Sequence, residues 1–446
     1  MSWSASSFPM RPLGELVRIQ AGYAFESARF TDVPTDLPLV KGENVQQGYV
    51  DWSIAKRWPE AEADSLEQFL LWPGDIVVAM DRPWVEAGLK WAYIKPEDPP
   101  SLLVQRVARL RAGSELDQTY LRAVISSSYF SAYIQPIVTG VNVPHISGKQ
   151  IAAFKVPVPS MAVQRKVAAL ICSYDDLIAN NQRRISLLEA MAEEIYREWF
   201  VRMRFPGAKS ASFEKGIPTD WTHKLTLNAF KFYGGATPSK DNPRFWADGE
   251  VHWYTPTDIT GASSPYLEES ADKCTEEGLQ GCSANLFPAY SIMMTSRATI
   301  GAIGINCEPA CTNQGFITCI PNERYPLTYL YHWLKLAKPH FEMLSGGATF
   351  AELTKGTFKK IRILTPTEHL VTAYEKLARP MFDEVESLTK INRRLRATRD
   401  ALLPRLISGK LRVDALDIKF PPSMQPPPEE TAQSVTIKQG LVHSGA

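Results

Sequence analysis

The sequence predicts a mixed α/β protein in which two similar globular domains are joined by two long helices forming an antiparallel coiled coil. Three observations predict this internal pseudo-two-fold duplication. The chain has 446 residues, which is too many for one hydrophobic core. Four segments of the first half recur in the same order in the second half. Two stretches carry apolar residues on a seven-residue grid, as coiled coils do.

The recurring segments share residue types rather than high identity. A loop, a glycine, alternating apolar and basic residues and then a proline occur in order in both halves, and Gly148 corresponds to Gly356, 208 residues later. The matched segments are His145–Pro159 with Leu353–Pro366, Pro73–Val78 with Pro288–Met293, Leu39–Val45 with Tyr254–Ile259, and Asn181–Ile185 with Ile391–Leu395. Solenoid repeats are far shorter, so this period indicates two copies of a whole domain plus helix. Chance similarity of two α/β domains is the alternative.

The two domains are predicted over residues 12–158 and 217–366, as many short strands between frequent turn signals. Short helices are expected at Gln118–Ser131 and Leu327–Phe341, which are matching places in the two copies. The tail, residues 421–446, is rich in proline and poor in large apolar residues, so it is predicted to be disordered.

The long helices are predicted over residues 159–205 and 367–412. Apolar residues at three- and four-residue spacing define the face that packs on the other helix. The predicted packing residues are Ile171, Tyr174, Ile178, Asn181, Ile185, Leu188 and Ile195 in the first helix, and Leu377, Met381, Leu388, Ile391, Leu395 and Leu402 in the second. Asn181 at the seam would cost stability and fix the register, the alternative being a surface asparagine. Pro380 is expected to kink the second helix or delay its start.

Composition and charge exclude several classes of protein. A formal net charge of +1 excludes a polycation that coats nucleic acid, and six cysteines are too few for a disulfide scaffold. The cysteines lack the spacing of zinc knuckles, so no metal site is expected. No secretory signal and no apolar run of about 20 residues is present, so we expect a cytoplasmic protein without membrane partners. The sequence also lacks the glycine-rich loops that hold ATP or a dinucleotide and the paired histidines of metalloproteases.

A duplicated plan without a catalytic set indicates a recognition protein. Two similar domains with different side chains, linked by helices, predict a protein that reads a split, asymmetric DNA sequence. Both domains are slightly acidic, whereas residues 390–412 carry eight basic residues against Asp400 alone. That basic stretch could face DNA or an acidic partner, and an ordinary solvated helix face is the alternative. We expect a few loops of each domain to contact bases, with partner subunits supplying much of the attraction for phosphates.

Several motifs resemble the specificity subunit of type I restriction-modification systems. They are the close of the second helix, Leu403–Leu411, the approaches Gly140–Pro159 and Gly346–Pro366 to each helix, and the turn Pro73–Val77. The resemblance covers about residues 12–412. Pro288–Ser291 departs from it, because the family has a Gly-Asp turn there. A second departure is that the first copy has Leu102–Gln105 where the second copy has Cys311–Gln314.

The resemblance implies a non-catalytic subunit whose two target-recognition domains each read one half of a bipartite double-stranded DNA target. The helices would set the gap and dock two methyltransferase subunits, and two motor-nuclease subunits would complete a complex that methylates adenine or restricts DNA. S-adenosylmethionine, ATP and magnesium would be bound by those partners and not by this chain. Two alternatives remain open: a coiled-coil DNA-binding adaptor that recruits a methyltransferase for another defence role, and a methyltransferase or nuclease acting alone.

Candidate base-reading residues are polar side chains in loops that follow short strands, because such side chains make base-edge hydrogen bonds. An ordinary surface or turn role is the alternative for each. The candidates are Lys41, Asn44, Arg82, Lys90, Asn142 and His145 in the first domain, and Thr257, Asp258, Ser296, Arg297, Thr299 and Thr349 in the second.

Overall fold

The computed structural model describes residues 7–85, 88–137, 144–346 and 351–424, and it divides into two compact units. The first unit comprises Met1–Leu177 with Leu395–Ala446, and the second unit comprises Ile178–Arg394. Each unit therefore takes part of both long helices. The division falls inside the helices, whereas the sequence places the domain limits at their ends.

The first unit is built around two small sheets. Its strands are β1 (Met10–Pro12), β2 (Val17–Ala21), β3 (Leu37–Val40), β4 (Gln47–Gly48), β5 (Arg57–Trp58), β6 (Leu70–Leu71), β7 (Ile76–Ala79), β8 (Trp84–Val85), β9 (Gly88–Leu89), β10 (Trp91–Tyr93), β11 (Ser101–Leu103), β12 (Val107–Ala112) and β13 (Lys155–Pro157). The sheet orders are β2-β12-β7-β10-β4 and β5-β3-β11-β6. Neighbouring strands are antiparallel except β10 with β4 and β11 with β3. β1 pairs with β13 and β8 with β9.

Helices cover the five-stranded sheet of the first unit. They are α1 (Gln118–Ile125), α2 (Ser128–Ile134) and α3 (Gly148–Ala152), and the first long helix, α4 (Met161–Tyr196), begins in this unit. Asp117 starts α1, because its Oδ1 accepts hydrogen bonds from the backbone N–H groups of Thr119 and Tyr120. Ser147 starts α3 through a capping box with Gln150. The core is apolar and continuous from the strands to these helices.

The second unit repeats the topology of the first. Its strands are β14 (Phe213–Glu214), β15 (Ile217–Pro218), β16 (Thr222–Leu225), β17 (Phe232–Gly234), β18 (Val251–Tyr254), β19 (Tyr266–Leu267), β20 (Asp272–Cys274), β21 (Ile292–Thr295), β22 (Ile303–Asn306), β23 (Ala310–Thr312), β24 (Phe316–Cys319) and β25 (Arg362–Thr365). Its helices are α5 (Thr226–Ala229), α6 (Pro256–Thr260), α7 (Glu276–Gln280), α8 (Leu327–Leu336), α9 (Lys338–Leu344), α10 (Lys355–Phe358) and the second long helix, α11 (Glu368–Ile407). The sheet orders are β17-β24-β21-β22-β19 and β20-β18-β23.

Strand directions confirm the internal duplication. In the five-stranded sheets only the last pair is parallel in either unit, β10 with β4 and β22 with β19. The pair β3–β11 and its counterpart β18–β23 are both parallel. The pairs β1–β13 and β16–β25 both precede a long helix and are antiparallel. The predicted mixed α/β fold with two copies of one plan is therefore correct.

The turn before β7 explains one of the departures between the copies. Gly74 has a positive φ of 98°, and the Asp75 carboxylate accepts the backbone N–H of Trp72 at 2.8 Å. At the corresponding position of the second unit, Tyr290 takes a positive φ of 63°. Ser291 closes that turn by donating its hydroxyl to the carbonyl of Pro288 at 2.7 Å. A different pair of residues therefore forms the same turn.

Within the second unit, α4 and α11 pack antiparallel around an asparagine pair. Asn181 Nδ2 donates to Asn392 Oδ1 at 3.0 Å, and Asn392 Nδ2 lies 3.4 Å from the carbonyl of Ile178. The asparagines are 7% and 2% exposed. The seam position predicted for Asn181 is confirmed, and its partner was not foreseen. Farther along, the hydroxyl of Tyr374 points at the carbonyl of Ala192, which fixes the antiparallel sense.

Two of the predicted packing residues of α11 are wrong. Leu377 is 47% exposed and Ile391 is 42% exposed. The buried face of α11 in this unit comprises Tyr374, Ala378, Phe382, Val385, Leu388 and Asn392. It shares Leu388 with the predicted face, but Ala378, Phe382 and Asn392 lie one position after Leu377, Met381 and Ile391. The mean spacing of the buried residues follows the 3.6-residue period of a straight helix, because this face packs on the domain core as well as on α4.

The remaining predicted packing residues lie on inward faces. Fully buried among them are Ile171, Ile185 and Leu388, and partly buried are Tyr174, Ile178, Leu188, Ile195, Met381, Leu395 and Leu402. In the first unit, Asp175 of α4 accepts from Arg399 of α11 at 2.7 Å and from Arg122 of α1 at 2.5 Å. Lys166 donates to the carbonyls of Asp414 and Leu416. The two helices are therefore antiparallel in this unit as well.

The helix ends differ from the sequence limits. α4 ends in a π-helical turn, Arg197–Val201. Pro380 does not delay α11, which starts at Glu368 and continues through the proline on an exposed side. Pro422–Met424 form a 3-10 turn, and the rest of the predicted disordered tail lies outside the described residues.

A buried histidine is part of the core of the second unit. His332 is fully buried in α8, and its Nδ1 lies 2.7 Å from the carbonyl of Thr328, to which it donates, and 2.9 Å from the hydroxyl of Tyr374. Nε2 has no hydrogen-bond partner among the described residues. Burial lowers the pKa of His332 from 6.5 to about 4, because a second N–H would find no acceptor there.

Candidate nucleic-acid interface

Several polar loops of the first unit meet at one edge of its sheets. The register pairs Val40 with Leu103 in the parallel pair and Ala79 with Val107 in the antiparallel pair. The segments that follow β3, β7 and β11 therefore emerge together. Sheet edges of this kind place loop side chains on rigid strands, which suits recognition.

Backbone hydrogen bonds hold these loops in a defined frame, which we call the first loop frame. Met80 N donates to the carbonyl of Arg106 at 2.8 Å, and Ile146 N donates to the carbonyl of Met80 at 2.8 Å. Arg82 N donates to the carbonyl of Pro144 at 2.7 Å. Arg82 has a positive φ of 43°, which is uncommon for a residue other than glycine.

The second unit contains the same frame, which we call the second loop frame. Ser296 N donates to the carbonyl of Gly315 at 2.7 Å, and Leu353 N donates to the carbonyl of Ser296 at 2.9 Å. Ala298 N donates to the carbonyl of Ala351 at 3.1 Å. Ala298 has a positive φ of 57°, as Arg82 has at the matching position. The two frames therefore share three backbone hydrogen bonds and one unusual dihedral angle.

At one matched position the two frames carry side chains of opposite charge, Asp81 in the first and Arg297 in the second. An isolated bridge pairs Asp81 with His145 in the first frame and Arg297 with Glu352 in the second. Asp81 Oδ2 lies 3.6 Å from Arg106 Nε, and Arg297 Nε lies 2.9 Å from Glu352 Oε1. A conserved backbone arrangement with exchanged side chains presents two different chemical surfaces.

Two glycines bring another loop against each frame. A Cβ at Gly22 would lie 2.4 Å from the carbonyl oxygens of Leu103 and Val104. A Cβ at Gly235 would lie 2.0 Å from the carbonyl oxygen of Asn313. Only glycine permits this approach, so these are matching structural positions in the two copies.

A basic patch lies in the second unit beside its loop frame. It consists of Lys355, Lys359, Lys360 and Arg362, all exposed, and we call it the α10 patch. No carboxylate lies within 4.0 Å of these cations in the part of the chain that the structure describes. The Lys355 side chain passes beside Gly234, at the end of β17, so the patch reaches the sheet edge. Free cations of this kind suit phosphate groups.

The basic stretch of α11 is different, because much of its charge is neutralised inside the chain. Arg393 forms ion pairs with Glu268 and Glu269, and Arg399 pairs with Asp175 and Asp400. Lys390 pairs with Glu386, and Arg412 pairs with Asp414. The net charge of this stretch therefore overstates what it offers to DNA or to a partner.

A family model matches the chain over residues 6–190 and 219–369, which is more than half of it and falls into two segments. That model describes the type I restriction modification DNA specificity domain. The chain belongs to this family.

Individual relatives carry the same description. The type I restriction enzyme MjaIX specificity subunit of Methanocaldococcus jannaschii is 35% identical over 153 residues, 34% of this chain and 35% of that protein. The HindI specificity subunit of Haemophilus influenzae is 24% identical over 330 residues, 60% of this chain and 71% of that protein. The first of these alignments thus spans about a third of the relative. The crystal structure of the S subunit from M. genitalium has the same fold, with a TM-score of 0.53 at 14% identity, covering 90% of this chain and 96% of that one.

In the first specificity domain, four predicted base readers lie on or beside the loop frame. Arg82 and His145 are exposed on the frame. Lys41 Nζ pairs with Glu43 at 2.7 Å, and Lys90 Nζ donates to the carbonyl of Gly42 at 2.9 Å. Burial lowers the pKa of Lys90, and the nearby positive charge of Arg82 lowers it further. Their contact with bases stays a prediction.

The prediction that Asn44 contacts bases is wrong. It is 1% exposed, and its side-chain oxygen accepts from Lys41 N while its amide donates to the carbonyl of Leu39. Asn44 therefore closes the turn after β3 and has no surface for a base, because asparagine favours such local hydrogen bonds. Asn142 lies outside the described residues.

In the second specificity domain, Arg297, Thr299 and Thr257 are exposed at the sheet edge. The prediction that Ser296 contacts bases is wrong, because this residue is buried within the loop frame. The prediction for Asp258 is also wrong: its Oδ2 accepts from Thr255 N at 2.7 Å and from the Thr255 hydroxyl at 2.6 Å, and its Oδ1 accepts the backbone N–H of residue 271 at 2.8 Å. It caps α6 instead of facing a ligand. Thr349 lies outside the described residues.

Sequence reasoning missed the partners of the exposed side chains. Asp81 and Glu352 are the acidic members of the two frames, and neither stood out because acids repel phosphates. The Gln314 side chain accepts from the Thr237 hydroxyl at 2.6 Å, also on an exposed part of the edge. The sequence contained a signal for Gln314, because the first copy also has a glutamine, Gln105, at the matching position.

The cysteines give no sign of a metal centre. Cys274 and Cys311 are buried with their sulfurs 3.8 Å apart, on the two strands that flank β18. Burial raises the pKa of the Cys307 thiol to about 12. Within the described residues no group of three histidine, cysteine or acidic side chains is placed to hold a metal ion. The described helices also include none that is long and apolar enough to cross a bilayer.

Proposed function

We propose that the chain is the DNA specificity subunit of a type I restriction-modification complex. Each of its two domains reads one half of a bipartite double-stranded DNA target through the loops of its frame. One observation carries the proposal: two copies of one backbone frame carry a carboxylate, Asp81, and a guanidinium, Arg297, at the same position, which suits two different half-sites. The family membership supports the same role.

The two long helices are proposed to set the gap between the half-sites and to dock methyltransferase subunits. The buried asparagine pair supports this role, since such pairs fix helix register. We propose two methyltransferase and two motor-nuclease subunits as partners. S-adenosylmethionine, ATP and magnesium would be bound by those subunits, and this chain would direct adenine methylation or restriction without catalysing either.

The α10 patch is proposed to contact DNA phosphates beside the second half-site. Contacts to phosphates position a protein on DNA without reading its sequence. The patch and the loop frame would contact different parts of DNA. The acidic residues of the frame repel phosphates but not the neutral edges of bases, whereas the patch attracts phosphates. This division explains how a domain with little net charge can bind DNA.

The test is a selection from random duplex DNA by the full chain, purified with the methyltransferase encoded beside it. A motif of two short parts with a fixed gap is expected. A single contiguous motif, or no sequence preference, would contradict the proposal. If a bipartite motif appears but no motor-nuclease subunit joins the complex, the adaptor role is correct instead.

A further inference from the structure

We propose that Arg297 reads a guanine in the half-site of the second domain, with Glu352 holding its guanidinium in place. This inference rests on the proposed function and names the base that one residue of the frame recognises. Four observations carry it: the geometry of the pair, its charge, the rigidity of its loop, and its place in the duplicated frame.

Among the described residues, none occupies the reading atoms of Arg297. Its Nε donates to Glu352 Oε1 at 2.9 Å, whereas Nη1 and Nη2 form no hydrogen bond with any residue that the structure describes. The side chain is about half exposed. A guanidinium held at Nε presents two parallel N–H groups, and these match the O6 and N7 acceptors on the major-groove edge of guanine.

The charge of the pair favours a base over a phosphate. A phosphate placed at Arg297 would also lie close to the Glu352 carboxylate, and the two anions would repel each other. A guanine edge is neutral and tolerates the neighbouring carboxylate. The free cations of the α10 patch are better suited to phosphates, because no carboxylate of the described chain accompanies them.

The loop itself is rigid enough to aim the side chain. The Thr295 hydroxyl accepts from Ala302 N at 3.0 Å and also donates to the carbonyl of Thr299. Gly301 N donates to the carbonyl of Thr295 at 2.9 Å. With the bonds of the second loop frame, these contacts fix both ends of the loop, so the guanidinium is oriented before DNA binds.

The same position of the first frame carries a different group. Asp81 replaces Arg297, and His145 replaces Glu352, on the same backbone hydrogen bonds. A carboxylate accepts hydrogen bonds and cannot read the acceptor edge of guanine as arginine does. The exchange therefore gives the two half-sites different bases, although the domains share one fold.

The experiment measures methylation by the complete complex on duplexes in which each base of both half-sites is varied. Arg297→Lys keeps the charge but loses the paired N–H groups, and Arg297→Ala loses both. We expect either variant to lose roughly five- to 150-fold of the preference for guanine at one position of one half-site. Glu352→Gln should give a smaller loss at that same position. Arg202→Ala, which removes another exposed arginine paired with glutamates, is the matched control and should change no position.

The outcomes separate this inference from the proposed function. If the unmodified complex shows a bipartite motif and Arg297→Lys leaves every position unchanged, the assignment of Arg297 is wrong and the function stands. A uniform loss over all sequences would assign Arg297 to a phosphate and overturn the inference. If the unmodified complex has no bipartite motif, the proposed function fails and this inference fails with it. Thermal unfolding of each variant identifies a loss of methylation that comes from misfolding. If Arg297→Ala misfolds, the base preference of Arg297→Lys decides whether Arg297 reads guanine.

Discussion

The asparagine pair between the long helices gives the sharpest prediction about stability. Asn181 Nδ2 and Asn392 Oδ1 satisfy each other in a buried setting, so replacing either residue leaves the facing amide atom without its partner. Such a group costs about 1–3 kcal/mol of unfolding free energy. Asn181→Leu and Asn392→Leu should each destabilise the second unit by about that amount. Leucine has a similar size, so the change in packing is small.

The double replacement should behave differently from the sum of the two single ones. With both amides gone, two leucines meet across an apolar seam, so the stability should return to within about 1 kcal/mol of the original or exceed it. The coupling energy in the double-mutant cycle is then about 1–3 kcal/mol, since residues in direct contact couple on that scale. Additive effects would show that the hydrogen bond between the asparagines contributes nothing.

Thermal unfolding of the full chain, followed by circular dichroism, is the assay. For a unit of this size, 1 kcal/mol shifts the melting temperature by roughly 2–4 °C. Each single variant should therefore melt several degrees lower, and the double variant should recover. Leu377→Asn is a control on an exposed part of the same helix and should shift the melting temperature little. Equal melting temperatures for all four proteins would refute a buried, paired arrangement.

Three further predictions concern pH, salt and one close contact. The pKa of His332 is about 4 in the folded state and 6.5 in the unfolded chain, so its contribution to stability is complete above pH 6.5 and is lost as the pH falls towards 4. The loss is about 3 kcal/mol of unfolding free energy. His332→Phe should remove that part of the pH dependence of the unfolding free energy measured with urea, and an unchanged pH dependence would contradict the assignment. Replacing Lys359 and Lys360 by alanine should make log K against log salt shallower by roughly 2 without changing the preferred sequence, and a changed motif would show that they read bases. Gly235→Ala should destabilise the chain by about 3 kcal/mol or more, whereas Gly356→Ala, whose Cβ meets only Thr354 at 3.6 Å, should be nearly neutral in the same unfolding assay.

The architecture was readable from the sequence because it occurs twice. The order of turn, glycine, strand and helix around Gly148 and Gly356 survives low identity, and the strand pairing confirms it. Asn181 was readable because a polar residue interrupts an otherwise apolar seam. Its partner was missed because Ile391, the apolar neighbour of Asn392, fits a heptad grid equally well. Only the domain core against which α11 packs decides which of the two is buried.

The candidate site was harder to read because the same residue types cap turns and contact bases. Asn44 and Asp258 follow strands and are polar, yet both use their side chains to close the local backbone. Arg297 is exposed and Ser296 is buried. The neighbouring residues in the sequence do not indicate which of the two faces outward. Its acidic partner lies 55 residues away, so the pair exists only in the folded chain.

A map of methylated adenine across the native genome, at single-base resolution, tests the central claim most directly. It should be made with the gene intact, deleted and restored. The account predicts a split motif with a fixed gap that loses methylation on deletion and regains it on restoration. Methylation that remains unchanged at every motif, while the encoded methyltransferase is present and active, would contradict the claim that this chain selects the DNA target.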